Sequence, residues 1–182
     1  MVSKVAEVQD IVRTGVVNPR RVFPSIKALA KSDDWVKREV AATALVEISK
    51  KQPERVASEM LTWSKDRDPN VRRTASEALR YIARKRPADV LPALENLKGD
   101  TSLYVRKSVA NVLRNAGNYH PDFVLRVCSQ WATLHDPKTD WTIKDGLRKL
   151  KTSRTKEAEH ILRALESDTI RECSKGERRA TG

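Results

Sequence analysis

The sequence predicts an all-α protein, an α-solenoid of stacked helix pairs, and three observations carry that expectation. Pro19, Pro53, Pro87 and Pro121 stand 34 residues apart. Counting on from each proline, the third residue is always valine (Val22, Val56, Val90, Val124). The seventh and tenth are apolar throughout: Ile26, Met60, Leu94 and Cys128, then Leu29, Trp63, Leu97 and Trp131. Finally, Asp68-Pro69-Asn70-Val71-Arg72-Arg73 is restated around Asp33 to Arg38, Asp100 to Lys107 and Asp140 to Lys144. Self-similarity at a fixed period of this length marks a tandem array whose units bury their apolar faces against one another.

Val5, Val8, Ile11 and Val12 recur at helical spacing, so residues 3–14 are expected to form a helix over the open end of the array, with Gly15 ending it. Proline in the first turn of a helix forfeits no intrahelical hydrogen bond. The Pro-led helices are therefore expected at about 19–31, 53–66, 87–98 and 121–135. Second helices follow at about 34–51, 69–85, 102–117 and 140–152, each opened by an Asp suited to capping free amides at the positive end of the helix dipole. Aligning Val36, Val71, Val105 and Ile143 gives steps of 35, 34 and 38. That register makes Val36, Val40 and Ala44 a core stripe, matched by Val71, Ala75 and Leu79 and by Val105, Val109 and Leu113. A last helix, about 154–167, takes the Pro-led slot without a proline and carries Lys156, Glu157, Glu159 and Arg163, as a capping repeat should. Residues 1–167 thus read as a single domain, and 168–182, without apolar period, as a disordered basic tail.

The chain of 182 residues is 39% hydrophobic and 33% charged. No apolar run approaches membrane length and the start, MVSKVAEVQD, lacks a signal-peptide core, so a cytoplasmic, monomeric protein with no membrane partner is expected. Cys128 falls on a core position and Cys173 in the tail, which argues against a disulfide. The 36 Lys and Arg against 24 Asp and Glu leave a net charge of +12 and a pI near 10, pointing to a polyanionic partner, nucleic acid before anionic membrane. His120, His135 and His160 are scattered, with no Cys or Asp at metal spacing, so no metal is expected. No P-loop, Rossmann fingerprint, nucleophile elbow or HExxH is present. Nucleotide hydrolysis, dehydrogenation and zinc proteolysis are unsupported, and no nucleotide cofactor is expected.

A 34-residue period of paired helices also suits tetratricopeptide repeats, but those place a large aromatic, a Leu-Gly pair and a Tyr in one helix and a proline late. Here a Pro-led helix precedes Asp-Pro-x-Val-Arg, an order that resembles HEAT repeats. The expected product is an α-solenoid of HEAT-like repeats whose second helices line a concave basic face. Beside the core stripe runs a second one: Trp35, Arg38, Glu39 and Ala42, then Asn70, Arg73, Thr74 and Glu77, then Tyr104, Lys107, Ser108 and Asn111, then Thr142, Asp145 and Lys149. The bases just after the aliphatic residue (Lys37, Arg72, Arg106, Lys144) suit bonds to the Asp of a neighbouring repeat. The next ones, Arg38, Arg73 and Lys107, are better placed for phosphate. Trp63 and Trp131 sit at core positions, whereas Trp35 and Trp141 lie off the core register.

The run Val71 to Glu77, the run Leu94 to Asn111, His120-Pro121-Asp122 and Trp141-Thr142-Ile143-Lys144 together resemble the HEAT-like DNA alkylation-repair glycosylases of the AlkC and AlkD type. The likeness extends over about residues 33–165 and is nearer the AlkC side. It implies hydrolytic excision of N3- or N7-alkylated purines from duplex DNA, with no metal or organic cofactor. An alkylated purine is already a cation and leaves readily. What helps is a carboxylate beside the sugar that stabilises an oxocarbenium ion and positions water, with aromatic rings against the base. The family places an aromatic and an acid one turn apart, which implies Glu39 as the catalytic carboxylate and Trp35 as the aromatic wall. Glu77 and Asp145 are second choices, and Arg73, one turn from Glu77, is placed to pair with it. Arg38, Arg73 and Lys107, with Tyr104, Trp141, Lys144 and Arg148, would bind DNA. The chain departs from the AlkD-like pattern where Asp145, not Trp, precedes Gly146-Leu147-Arg148. A second reading keeps the fold and the basic face without catalysis, as a DNA-structure-binding or scaffolding module.

Overall fold

The computed structural model describes the backbone of residues 4–177 and the side chains of residues 8–166. Among the described residues twelve helices follow one another: α1 (Lys4–Val17), α2 (Pro19–Ala30), α3 (Trp35–Ser49), α4 (Pro53–Trp63), α5 (Pro69–Ala78), α6 (Arg80–Lys85), α7 (Pro87–Leu97), α8 (Leu103–Gly117), α9 (Pro121–Ala132), α10 (Pro137–Gly146), α11 (Leu150–Ser153) and α12 (Thr155–Glu177). Each repeat pairs a Pro-led helix (α2, α4, α7, α9) with a second one (α3, α5 with α6, α8, α10 with α11). The second helices pack side by side along the array, α3 on α5, α5 on α8 and α8 on α10, more closely than the first helices do, so the solenoid curves with the second helices on its inner side. α12 runs through Ser167 into the stretch expected as a tail, and residues 178–182 lie outside the described residues.

The register of the second helices differs from the expected one. Their N-caps are Asp34, Asp68, Ser102 and Asp136, a strict 34-residue period like that of the prolines. The shared core positions are therefore Ala41, Ala75, Val109 and Ile143, and one turn on Leu45, Leu79, Leu113 and Leu147, all buried. Val36 is only half-buried, because the first repeat had been aligned one residue early. In the last repeat Asp136 caps α10 and Pro137 opens it, not Asp140. Asp100, also expected as a cap, lies two residues before the cap Ser102, whose N–H it accepts at 2.8 Å.

Gly15 does not end α1. The helix continues to Val17, and Gly15 lets it lie against α3: a Cβ there would come within 2.8 Å of Ile48 Cγ1. In the outer layer Val22, Val56, Val90 and Val124 and Ile26, Met60, Leu94 and Cys128 are buried as expected. Trp63 and Trp131 are core residues, each giving its indole N–H to a carboxylate, Glu59 at 2.7 Å and Glu95 at 2.6 Å. Burial alone pushes the Cys128 thiol up to about 12, which leaves it a small apolar filler.

The Asp136 cap can be tested. Its Oδ2 accepts from Thr139 N at 2.9 Å and from the Thr139 hydroxyl at 2.6 Å, and the latter bond is the main reason its carboxyl lies below the usual carboxylate value. Asp136→Ala is expected to cost about 1 kcal/mol in thermal melts near neutral pH. Because the folded value is depressed, this contribution is complete above the unfolded value of about 3.9 and disappears as pH falls through the folded one. Wild type and variant should therefore converge in acid.

Candidate nucleic-acid interface

The strict period reorders the inner face into rows. Glu39, Arg73, Lys107 and Trp141 occupy one position on four successive second helices, each 34 residues from the next. One turn further on come Thr43, Glu77, Asn111 and Asp145, and at the following turn Val46, Arg80, Arg114 and Arg148. Residues three and four apart on a helix share a face, so the rows form one patch.

Its centre is a charge cluster around Arg73. Arg73 Nη2 donates to Glu39 Oε1 at 2.8 Å and lies 4.0 Å from Glu77 Oε1, while its guanidinium lies over the Tyr104 ring, 4.7 Å from the centroid. Arg73, expected on phosphate, is thus engaged by two carboxylates and an aromatic ring. Arg38, also expected on phosphate, clamps a turn instead, its Nη1 donating at 2.8 Å to both Ser32 O and Asp33 O. Its true equivalents are Arg72 and Arg106, which make the same pair of bonds to the carbonyls six and five residues back. The one-residue misalignment had split this set between a structural column and a phosphate column. Lys107 and Lys144 are exposed and make no ion pair among the described residues. Tyr104 is 44% exposed, and Trp141 is half-buried with the Arg106 guanidinium 5.6 Å from its ring centroid.

The three candidate carboxylates differ in how much of each is already used. Glu77 is buried: Oε1 accepts from the Ser108 hydroxyl at 2.9 Å and Oε2 faces Arg80 Nε at 3.0 Å. Asp145 holds Arg114 at 2.6 Å with Oδ2 and Arg148 at 3.3 Å with Oδ1. Glu39 accepts from Arg73 with Oε1 alone, so Oε2 has no hydrogen bond within the described residues, and its side chain is 34% exposed against 10% for Glu77 and 18% for Asp145. Trp35 stands one turn before it, 64% exposed. The structure thus brings Trp35, Glu39, Arg73, Glu77 and Tyr104 to one end of the face and Trp141, Asp145 and Arg148 to the other, with Lys107 between. Sequence reading missed Ser108 as the partner of Glu77, and it missed Arg80 and Arg114, which stand in one row with the expected Arg148 and whose signal was the 34-residue spacing itself.

Among the described residues no three His, Cys, Asp or Glu side chains converge on a metal-sized site, and no helix is long and apolar enough to cross a membrane.

A family model of HEAT repeats matches residues 23–114, half of the chain. The chain belongs to the HEAT-repeat family. Among solved structures, this HEAT-repeat chain is similar to the alkylpurine DNA glycosylase AlkC of Pseudomonas fluorescens, which was bound to DNA containing an abasic site analog. The TM-score is 0.72 at 28% identity, over 87% of this chain and 45% of that one. It is also similar to AlkD2 of Streptococcus mutans, with a TM-score of 0.62 at 27% identity, over 71% of this chain and 65% of that one. The chain therefore spans less than two thirds of either structure's length. No curated protein matches it.

Proposed function

We propose that this HEAT-repeat solenoid binds duplex DNA along its inner face and removes N3- or N7-alkylated purines by hydrolysis, with Glu39 as the catalytic carboxylate. One observation carries the choice of residue: of the three acids on the face, Glu39 alone keeps an oxygen with no hydrogen bond among the described residues and has the greatest access to solvent. The likeness to AlkC supports the reaction class.

The chemistry asks little of the protein. The alkylated ring carries a positive charge, so as the N-glycosidic bond lengthens its electron pair passes to the purine and neutralises it, and positive charge appears at C1′ of the sugar. A carboxylate there stabilises that charge. Glu39 Oε2 would face C1′ and take the proton of the water that adds to it, while Arg73 on Oε1 fixes the side chain. The products are a free alkylpurine and an abasic site. Trp35 offers a ring face to the cationic base, and Lys107, Lys144 and Arg148 are placed for phosphates.

The deciding experiment is release of N3- and N7-methylpurines from methylated duplex DNA by the wild-type protein, alongside binding to unmodified duplex across a salt series. Release, with affinity falling steeply as salt rises, is expected. Steep salt-dependent binding without release would sink the enzyme and favour the non-catalytic DNA-binding module.

A further inference from the structure

The positive charge of the described residues is not confined to the inner face. The turns that lead from one repeat into the next lie side by side along one edge of the solenoid, tied by contacts between successive repeats. Gln52 Nε2 donates to Val16 O at 2.9 Å, Arg86 pairs with Glu54, Arg84 Nη2 donates to the Tyr119 hydroxyl at 2.5 Å, His120 Nε2 lies 3.1 Å from Arg84 O, and Arg154 pairs with Asp122 at 2.5 Å. Residues 18–21, 47–55, 84–89, 118–122 and 149–157, which make up this edge, contain twelve Lys and Arg against five Asp and Glu. All five acids are already paired, Glu47 with Lys50, Glu54 and Asp89 with Arg86, and Asp122 and Glu157 with Arg154. Arg20, Arg21, Lys51, Arg55, Lys85 and Lys151 are exposed and have no ion pair among the described residues. On the opposite edge, residues 31–38, 64–72, 98–106 and 132–138, the balance is closer, nine Lys and Arg against six Asp, the acids acting as caps and as partners of Arg72 and Lys27; Lys31, Lys37, Lys65, Arg67 and Lys138 are exposed there too.

We propose that this edge is a second phosphate-binding track, engaging duplex DNA beyond the part held on the inner face. The proposal rests on duplex binding by that face. A row of unpaired cations repels itself, and a polyanion that neutralises it gains the energy of counterion release. Helices packed about 8–10 Å apart set the cations along a line, as a nucleic-acid backbone sets its phosphates, with a gap at the 118–122 turn, which has no Lys or Arg and is reached by Arg84 from the repeat before. Arg84 adds a recognition element: its guanidinium stacks 4.8 Å from the centroid of the half-exposed Tyr119 ring. The edge reaches phosphates that the inner rows do not. From Lys107 to the end of α8 at Gly117 is ten residues, about 15 Å along the axis, wider than either groove of B-DNA at about 12 and 6 Å.

The test compares wild type with a variant carrying Arg20→Ser, Arg55→Ser, Lys85→Ser and Lys151→Ser, all exposed and outside the inner face. Affinity is measured by fluorescence anisotropy for duplexes of about one helical turn and about three turns, over a salt series. The expected result is unchanged affinity for the short duplex, at least tenfold weaker binding to the long one, and a log–log salt slope on the long one flatter by about three. Equal affinities and slopes at both lengths would overturn the proposal, as would an equal loss at both, which would make the edge part of the primary site. Lys107→Ser separates this from the reading beneath it. That variant should weaken both lengths; if it weakens neither while the edge variant fails on the long duplex, the inner-face reading falls and the edge track stands.

Discussion

Glu39→Gln should reduce methylpurine release by about 10²- to 10³-fold, the usual cost of removing one aligned electrostatic contact to a developing charge, while DNA affinity is retained. Gln keeps the shape of Glu and can still accept from Arg73 Nη2, so the inner face is preserved. What it loses is the negative charge that would face the sugar and the capacity to take a proton from water. The cost to folding should be small, within about 1 kcal/mol, because the Glu39–Arg73 pair is one-third exposed on the Glu side and screened by solvent. Glu77→Gln is the informative control. Glu77 is buried against Ser108, Arg80 and Arg73, so its loss should lower the melting temperature clearly, by about 2 kcal/mol of charge-assisted hydrogen bonding. If Glu77→Gln stays folded and abolishes release while Glu39→Gln remains active, the catalytic role moves to Glu77. Equal activity in both variants leaves Asp145, whose two arginines would then need to give way.

The helices were legible because they rest on local chemistry. Proline at a first turn and valine three residues on report an apolar face directly, and the outer layer came out as expected except at Leu29, which is only partly buried. The inner layer was legible to within one residue in the first repeat and to within four in the last, where Ile143 stands one turn beyond the position of Val105. Trp35-Val36 and Pro69-Asn70-Val71 both offer a β-branched residue near the helix start, so the two valines mimic one position although they stand one residue apart in register. The true match is between the caps Asp34 and Asp68, which fix where the helix begins and therefore which side chain faces which way. That one-residue error turned Arg38 from a turn clamp into a phosphate ligand. It also kept Glu39 out of the row of Arg73 and Lys107, and the four-residue offset at Ile143 kept Trp141 out of it. The Trp35–Glu39 pair survived the error because it depends on spacing within one helix. Arg73 bridging Glu39 and Glu77 depends on two helices packing together, which spacing along the chain does not report.

The corrected register carries the largest stability prediction. Arg38, Arg72 and Arg106 hold the same position and clamp the same two turn carbonyls, yet their surroundings differ at the residue 28 further on, which is Asp66, Asp100 or Leu134. Only Arg72 meets an acid bidentately there, with Nε to Asp100 Oδ2 at 2.6 Å and Nη2 to Oδ1 at 2.9 Å, in a pair 15% and 5% exposed. For Arg38 the corresponding Asp66 is taken by Lys27 at 2.7 Å, and Arg106 rests against Trp141 with its Nε unpaired. Arg72→Met should therefore cost about 3–5 kcal/mol, because it leaves the Asp100 carboxylate buried without its counter-charge. In thermal melts that is a fall of about 10 °C for a chain of this size. Arg38→Met and Arg106→Met should each cost much less, since neither strands a buried carboxylate. Replacing both members, Arg72→Met with Asp100→Leu, should recover part of the loss, because the penalty lies in the unpaired charge rather than in the missing attraction. If all three single variants melt together, the caps and carbonyl clamps hold the repeats in register without the help of Asp100. If Arg72→Met alone collapses the fold, the Arg72–Asp100 pair is the contact that ties the second repeat to the third.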